Sequence, residues 1–254
     1  MDFATSADGV RIAYETTGSG PPLILLHGGG QSHRNWVDGG YVAALSKHFR
    51  VIAIDARGHG ASDKPTARAN YAIERVMADV LAVADACGAA TFDLIGYSYG
   101  GNIGRYLASR TDRVTRFVMI GIGFGPGVPE HLRRGVEGNL SQWAPVLGPN
   151  PQPEKLSPNL RAAWAEPATR ATLAWFSALL DWPPVEPRDL RCPTLWLVGS
   201  KNDVGALESL AQYSGTLAQW GVVARVLDGL NHEQEMSASA QVLPVLEQML
   251  TPQG

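Results

Sequence analysis

The chain has 254 residues, with 21 Lys and Arg against 24 Asp and Glu, a formal net charge of −3. That slightly acidic balance, without a block of like charges, argues against nucleic acid as a partner, which would call for a basic face or arm. No apolar run approaches the roughly 18 residues of a membrane-spanning helix, so no membrane partner is expected, and two cysteines cannot by themselves build a metal cluster.

In chain order, Phe3–Thr5 and Arg11–Thr16 flank Asp8-Gly9, the signature of an antiparallel hairpin with a tight turn. Six short apolar runs follow: Leu23–Leu26, Val51–Ile54, Phe92–Ile95, Val114–Ile122, Thr194–Val198 and Val222–Leu227. Most lack polar alternation, which is how parallel strands read when both faces are covered. Between them, Tyr71–Cys87 places Ile73, Val76, Met77, Val80, Leu81 and Ala84 near helical spacing, and Gly88 supplies a stop. Asn102–Arg110 and Ser237–Leu250 read the same way. The expected fold class is α/β, a mostly parallel, doubly wound sheet with helices on both faces and an antiparallel N-terminal hairpin.

The alternation breaks between Gly123 and Leu190, which holds 11 of the 17 prolines and 4 of the 7 tryptophans and no strand-like run. Helical pieces are expected near Pro129–Trp143 and Ala168–Leu180. The expected organisation is a core of residues 1–122 and 191–254 with a helical lid inserted at 123–190. The lid tryptophans either line an apolar pocket or glue the lid to the sheet. Cys87 and Cys192 sit in apolar contexts and are expected to be buried free thiols of a reducing compartment. The N-terminal MDFATSADGVRIAYE shows no basic, apolar leader, so a cytoplasmic location is expected.

The most specific chemical signal is Gly96-Tyr97-Ser98-Tyr99-Gly100. It matches G-x-S-x-G between a predicted strand and a predicted helix, the context of a nucleophile elbow. A sharp reversal there projects the Ser98 hydroxyl above the C-terminal edge of the sheet, where open α/β folds bind ligands. At the end of the first buried strand, Leu25-Leu26-His27-Gly28-Gly29-Gly30 lacks the spacing of a phosphate-binding loop. It reads better as an oxyanion hole, built from the backbone N–H groups of Gly29 and Tyr99.

With LLHGGG at 25–30, DARGHGASDKP at 55–65, GYSYGG at 96–101, PTLWLVGSKND at 193–203 and GLNH at 229–232, the chain resembles the α/β-hydrolase fold superfamily. Within it, the likeness is to the lid-bearing serine esterase, enol-lactonase and perhydrolase branch. These pieces span most of the chain outside the 123–190 insertion. The resemblance implies a catalytic triad in the order Ser…Asp…His. Asp203 follows the strand Thr194–Val198 and would orient the imidazole. His232 follows the last strand and would act as general base toward Ser98. Asp228 is a weaker acid candidate, because it ends that strand. Asp55, Arg57, His27 and His59 belong to the family's turn motifs and are expected to hold those turns.

Dehalogenases and epoxide hydrolases of this fold use an aspartate at the elbow, so Ser98 disfavours both. The segment HGGGQSHRNW also lacks the proline that carbon–carbon bond hydrolases often carry. No H-E-x-x-H occurs, and the charged run His232-Glu233-Gln234-Glu235 lacks a second histidine, so neither metal nor cofactor is expected. The implied function is a carboxylic-ester hydrolase acting on small to medium esters or lactones through an acyl-enzyme on Ser98. A slow-turnover ligand receptor, or a carbon–carbon bond hydrolase, perhydrolase or lyase of the same fold, are the alternatives.

Overall fold

The N-terminal hairpin forms as the turn chemistry predicts. Strands β1 (Asp2–Thr5) and β2 (Arg11–Thr17) pair antiparallel around Gly9, whose φ is +84°. The computed structural model describes residues 1–250 of the chain. After the hairpin come β3 (Pro22–Leu26), the short helices α1 (Arg34–Asp38) and α2 (Tyr41–Leu45), β4 (Arg50–Ile54), α3 (Ile73–Ala86), β5 (Phe92–Tyr97), α4 (Tyr99–Arg110) and β6 (Val114–Ile120). A helical segment follows with α5 (Glu130–Ser141), α6 (Ala144–Leu147), α7 (Pro158–Ala165) and α8 (Pro167–Ala178). The chain then returns to the sheet through β7 (Thr194–Gly199), α9 (Ala206–Tyr213), β8 (Val222–Leu227), α10 (Gln234–Ser237) and α11 (Ser239–Leu250).

The strands form one eight-stranded sheet in the order β1-β2-β4-β3-β5-β6-β7-β8. β2 pairs antiparallel with both β1 and β4, and every other neighbouring pair is parallel. Alternate residues of the central strands serve two cores, as the period of a strand requires. Ile24, Leu26, Ile52, Ile54 and Leu94 pack with Val76, Val80, Ile103 and Leu107 of α3 and α4 on one face. Leu23, Leu25, Val51, Ile95 and Val118 pack with Trp36, Tyr41, Val242 and Leu246 on the other.

Three expectations need correction. The run Val114–Ile122 stops being strand at Ile120, because Gly121 turns the chain with φ +80°. β8 is an edge strand rather than a doubly covered one, so Val223 and Val226 are about half exposed, at 47% and 52%. Cys192 is buried, but Cys87 caps α3 and is only half-buried. No strand forms in the segment between β6 and β7; a single antiparallel bridge, Gly125 to Val185, closes its two ends on each other.

The C-terminal edge of the sheet is held by buried polar groups from the turns after β3 and β4. Arg57 is fully buried, and its Nε and Nη2 each lie 2.5 Å from Asp79 of α3. Its Nη1 donates to Asp8 in the hairpin turn at 3.0 Å, so one guanidinium ties three elements together. Asp55 accepts from the backbone N–H of His33 and of Ala61. Burial raises the pKa of Asp55, but those hydrogen bonds and His33 outweigh it and hold the carboxyl below its ordinary value. His27 Nε2 faces the N–H of Ala56 at 3.1 Å and must accept, which leaves Nδ1–H to donate to the Gly28 carbonyl at 2.7 Å. The ring is therefore neutral by construction, and burial, reinforced by the neighbouring His59, pushes its pKa down to about 4.

Two stability predictions follow from these contacts. Asp79→Ala strips the main partner from a buried guanidinium and is expected to cost about 3 kcal/mol, read as a lower urea midpoint at unchanged m value. His27 favours the folded state only while neutral. Its contribution is complete above the ordinary histidine pKa of about 6.5 and is lost as the pH falls from there through about 4, to a total of about 3 kcal/mol. Titrating the urea midpoint between pH 7 and pH 4 should show this slope, and His27→Gln should flatten it.

Candidate active site

The reversal from β5 into α4 places Ser98 at the C-terminal edge of the sheet. Its backbone sits at φ +51° and ψ −114°, and it is the only non-glycine residue with positive φ among the described residues. Such a conformation costs on the order of 1–3 kcal/mol and persists only where the surroundings impose it. Both neighbouring strands do so here. The Ser98 N–H donates to Ile120 at the end of β6, and the Gly100 N–H donates to His27 at the end of β3, each at 2.9 Å. A Cβ on Gly100 would collide with the carbonyl of Leu26, so this tight crossing of helix on strand requires glycine.

His232 reaches Ser98 from the loop after β8. Its Nε2 lies 2.9 Å from Ser98 Oγ. The imidazole stacks on Tyr97, with ring centroids 5.1 Å apart and planes inclined by 27°, and the Tyr97 hydroxyl donates to the His232 carbonyl at 2.8 Å. Sequence analysis and structure therefore bring these two predicted residues together.

The predicted acid does not join them. Asp203 is exposed and makes no hydrogen bond or ion pair among the described residues, and Asp228 is also exposed and meets only Ser200. The partner of His232 Nδ1 is Glu235 Oε2 at 2.9 Å, three residues further along the chain. Glu235 is completely buried. Its Oε1 accepts the Gly199 N–H at 2.6 Å, and the Asn202 amide donates to its two oxygens at 2.9 and 3.0 Å.

The reason lies in the loop after β7. Its inward-facing residue is Asn202, anchored by the Gly121 carbonyl and by the N–H groups of Val204 and Ala206, and the adjacent Asp203 consequently faces water. Gly121 leaves room for the carboxylate: a Cβ there would run into Glu235 Oε2 and come within 2.9 Å of His232 Nδ1. The sequence carried a signal for Glu235, because His-x-x-Glu at the start of a helical turn puts both side chains on one face.

A cavity of about 350 Å³ opens at Ser98, with Gly29, Tyr99 and His232 on its sheet side and Leu132, Trp175 and Phe176 on the helical side. The Gly29 N–H has no partner among the described residues, and the Tyr99 N–H belongs to the first turn of α4, whose amides lack intrahelical acceptors. The two readings of the tryptophans divide between residues. Trp175 lines the cavity and packs 5.1 Å from Tyr99, whereas Trp182 is buried and donates to the Tyr71 carbonyl at 3.0 Å as a tie to the sheet side.

Comparison with known proteins agrees with this architecture. The family model of the alpha/beta hydrolase fold matches residues 21–152, just over half of the chain. An uncharacterized protein of Mycobacterium tuberculosis is 36% identical over 127 residues, covering 48% of this chain and only 35% of that protein's length. A non-heme haloperoxidase of Rhodococcus erythropolis is 28% identical over 258 residues, 91% of this chain and 93% of its own. An esterase structure from Rhodococcus sp. superposes with a TM-score of 0.71 at 26% identity, covering 100% of this chain and 99% of that one. A family match of this extent, on a sheet of this order with a strained serine at its central reversal, makes the chain a member of the alpha/beta hydrolase fold family.

Proposed function

We propose that the protein is a serine hydrolase that cleaves small to medium carboxylic esters or lactones through an acyl-enzyme on Ser98. The observation that carries this reading is the continuous hydrogen-bonded line from Ser98 Oγ through His232 to the buried Glu235, opening on an apolar cavity. His232 Nε2 takes the Ser98 proton as Oγ attacks the acyl carbon, and returns it to the departing alcohol. Water then attacks the acyl carbon, losing a proton to the same nitrogen; the acyl–Oγ bond breaks, the acid leaves, and His232 returns the proton to Ser98 Oγ.

The charge that develops on the carbonyl oxygen is received by the N–H groups of Gly29 and Tyr99, where each donor is worth about 3 kcal/mol in comparable sites. Glu235, in place of Asp203, holds the imidazole with Nδ1 protonated and balances its charge. The helical segment 123–190 acts as a lid that supplies the apolar wall and selects the acyl group. No step requires a metal or cofactor.

Two sets of variants test the chemistry on 4-nitrophenyl esters from acetate to decanoate. Ser98→Ala is expected to lower kcat by on the order of 10⁶-fold. Glu235→Gln should lower it by about 10³–10⁴-fold, while Asp203→Asn stays within about twofold of the parent. Collapse of activity in Asp203→Asn with Glu235→Gln unaffected would return the acid to position 203. Folded parent protein inert toward every ester and lactone in the series would remove the hydrolase reading itself.

A further inference from the structure

The cavity at Ser98 contains one charge that the proposed reaction does not use. Arg105 lies seven residues beyond Ser98 on α4, about 10 Å along the helix axis, and its side chain lines the same cavity. It is 2% exposed. Nη1 donates to the Gly123 carbonyl at 2.7 Å and Nη2 to the Pro126 carbonyl at 2.6 Å. Nε has no partner among the described residues, where only two of the five N–H donors of the guanidinium are engaged.

No carboxylate forms an ion pair with Arg105 among the described residues. The contrast with Arg57 is direct: that guanidinium is equally buried but is gripped by Asp79 and Asp8. Glu186, whose field reaches Arg105, is taken by the Tyr213 hydroxyl. Burial accordingly pulls the Arg105 pKa down, opposite to the shift of Arg57. One turn earlier on the same helix, Asn102 also lines the cavity. Its amide donates to the Gly127 carbonyl at 2.8 Å, and its Oδ1 is buried without a partner among the described residues.

A clasp on the loop carbonyls of residues 123 and 126 needs donors but no charge. The Tyr106 ring lies 5.4 Å from the guanidinium carbon, but a buried cation with no carboxylate on it is still the complement of an anionic ligand, because its field is weakly screened there and a guanidinium can grip a carboxylate by two N–H groups. We infer that Arg105 is a substrate-binding residue and that the hydrolysed ester or lactone carries a carboxylate several bonds from its scissile carbonyl. Asn102 Oδ1 accepts a hydroxyl or N–H beside that carboxylate. This inference rests on the serine-hydrolase reading of the site.

The test compares mono-4-nitrophenyl adipate and suberate with the neutral 4-nitrophenyl hexanoate and octanoate. The parent protein should prefer the carboxylate-bearing esters by at least about tenfold in kcat/KM. Arg105→Met should erase most of that ratio through KM for the charged ester, and Arg105→Lys should restore part of it. A merely structural arginine would lower both ester classes together and leave the ratio unmoved, which would overturn the inference. Should Arg105→Met fail to fold, adipate binding to the Ser98→Ala protein by calorimetry decides: binding that weakens with added salt, with none for 1,6-hexanediol, supports the site, and equal or absent binding overturns it. Adipate bound by a protein that hydrolyses neither ester class would retain the anion site and sink the hydrolase reading.

Discussion

The site depends on a single backbone constraint, the positive φ of Ser98 between β5 and α4. A serine does not adopt that conformation unaided, and two hydrogen bonds from opposite neighbours hold it, one to Ile120 on β6 and one from Gly100 to His27 just past β3. His27 therefore serves the elbow twice. Its carbonyl anchors the first turn of α4, and its ring fixes the turns after β3 and β4 through Gly28 and Ala56. The reversal is rigid because three adjacent parallel strands end at one level, and each contributes a backbone group to it. Strain at the serine is thus offset by the sheet rather than by any local contact.

The second organising feature is that the base and its carboxylate come from one short stretch of chain. His232 and Glu235 sit three residues apart at the entrance to α10. In this arrangement the loop after β7 contributes no charge. It contributes Asn202, which together with the Gly199 amide at the end of β7 satisfies Glu235 from the far side. Burying a carboxylate is costly unless its oxygens are engaged, and all the groups that engage this one belong to sheet-edge residues or to the imidazole itself. The Tyr97 ring beneath His232 completes the support, so that the imidazole is stacked, tethered through its backbone carbonyl and hydrogen-bonded at both nitrogens.

Above this frame the cavity is mostly apolar and bears one buried guanidinium. The same α4 helix therefore serves two purposes in the proposed enzyme. Its first turn offers amides to a developing oxyanion, and the end of its second turn offers Arg105 to a distant carboxylate. Both act on negative charge, but at opposite ends of a substrate. The carbonyls of Gly123, Pro126 and Gly127 accept from Arg105 and Asn102, so the residue proposed to bind the anion also joins α4 to the start of the helical segment.

The amino-acid sequence by itself determined what short-range pattern can encode. Apolar runs without alternation marked the parallel strands, Asp8-Gly9 marked the hairpin, and G-x-S-x-G between strand and helix marked Ser98. The position of His232 after the last strand was equally legible. The tertiary structure decided what depends on side-chain direction and on distant neighbours. Adjacent residues in a loop face opposite ways, so Asn202 turned inward and Asp203 outward, and only the fold shows that Glu235 fills the space left by Gly121. Burial of β8 also failed to follow from its composition, because an edge is defined by a missing neighbour and not by its own residues. The unpaired charge of Arg105 is of the same kind: whether a cation is compensated is settled by groups remote in sequence, brought near or kept away by packing.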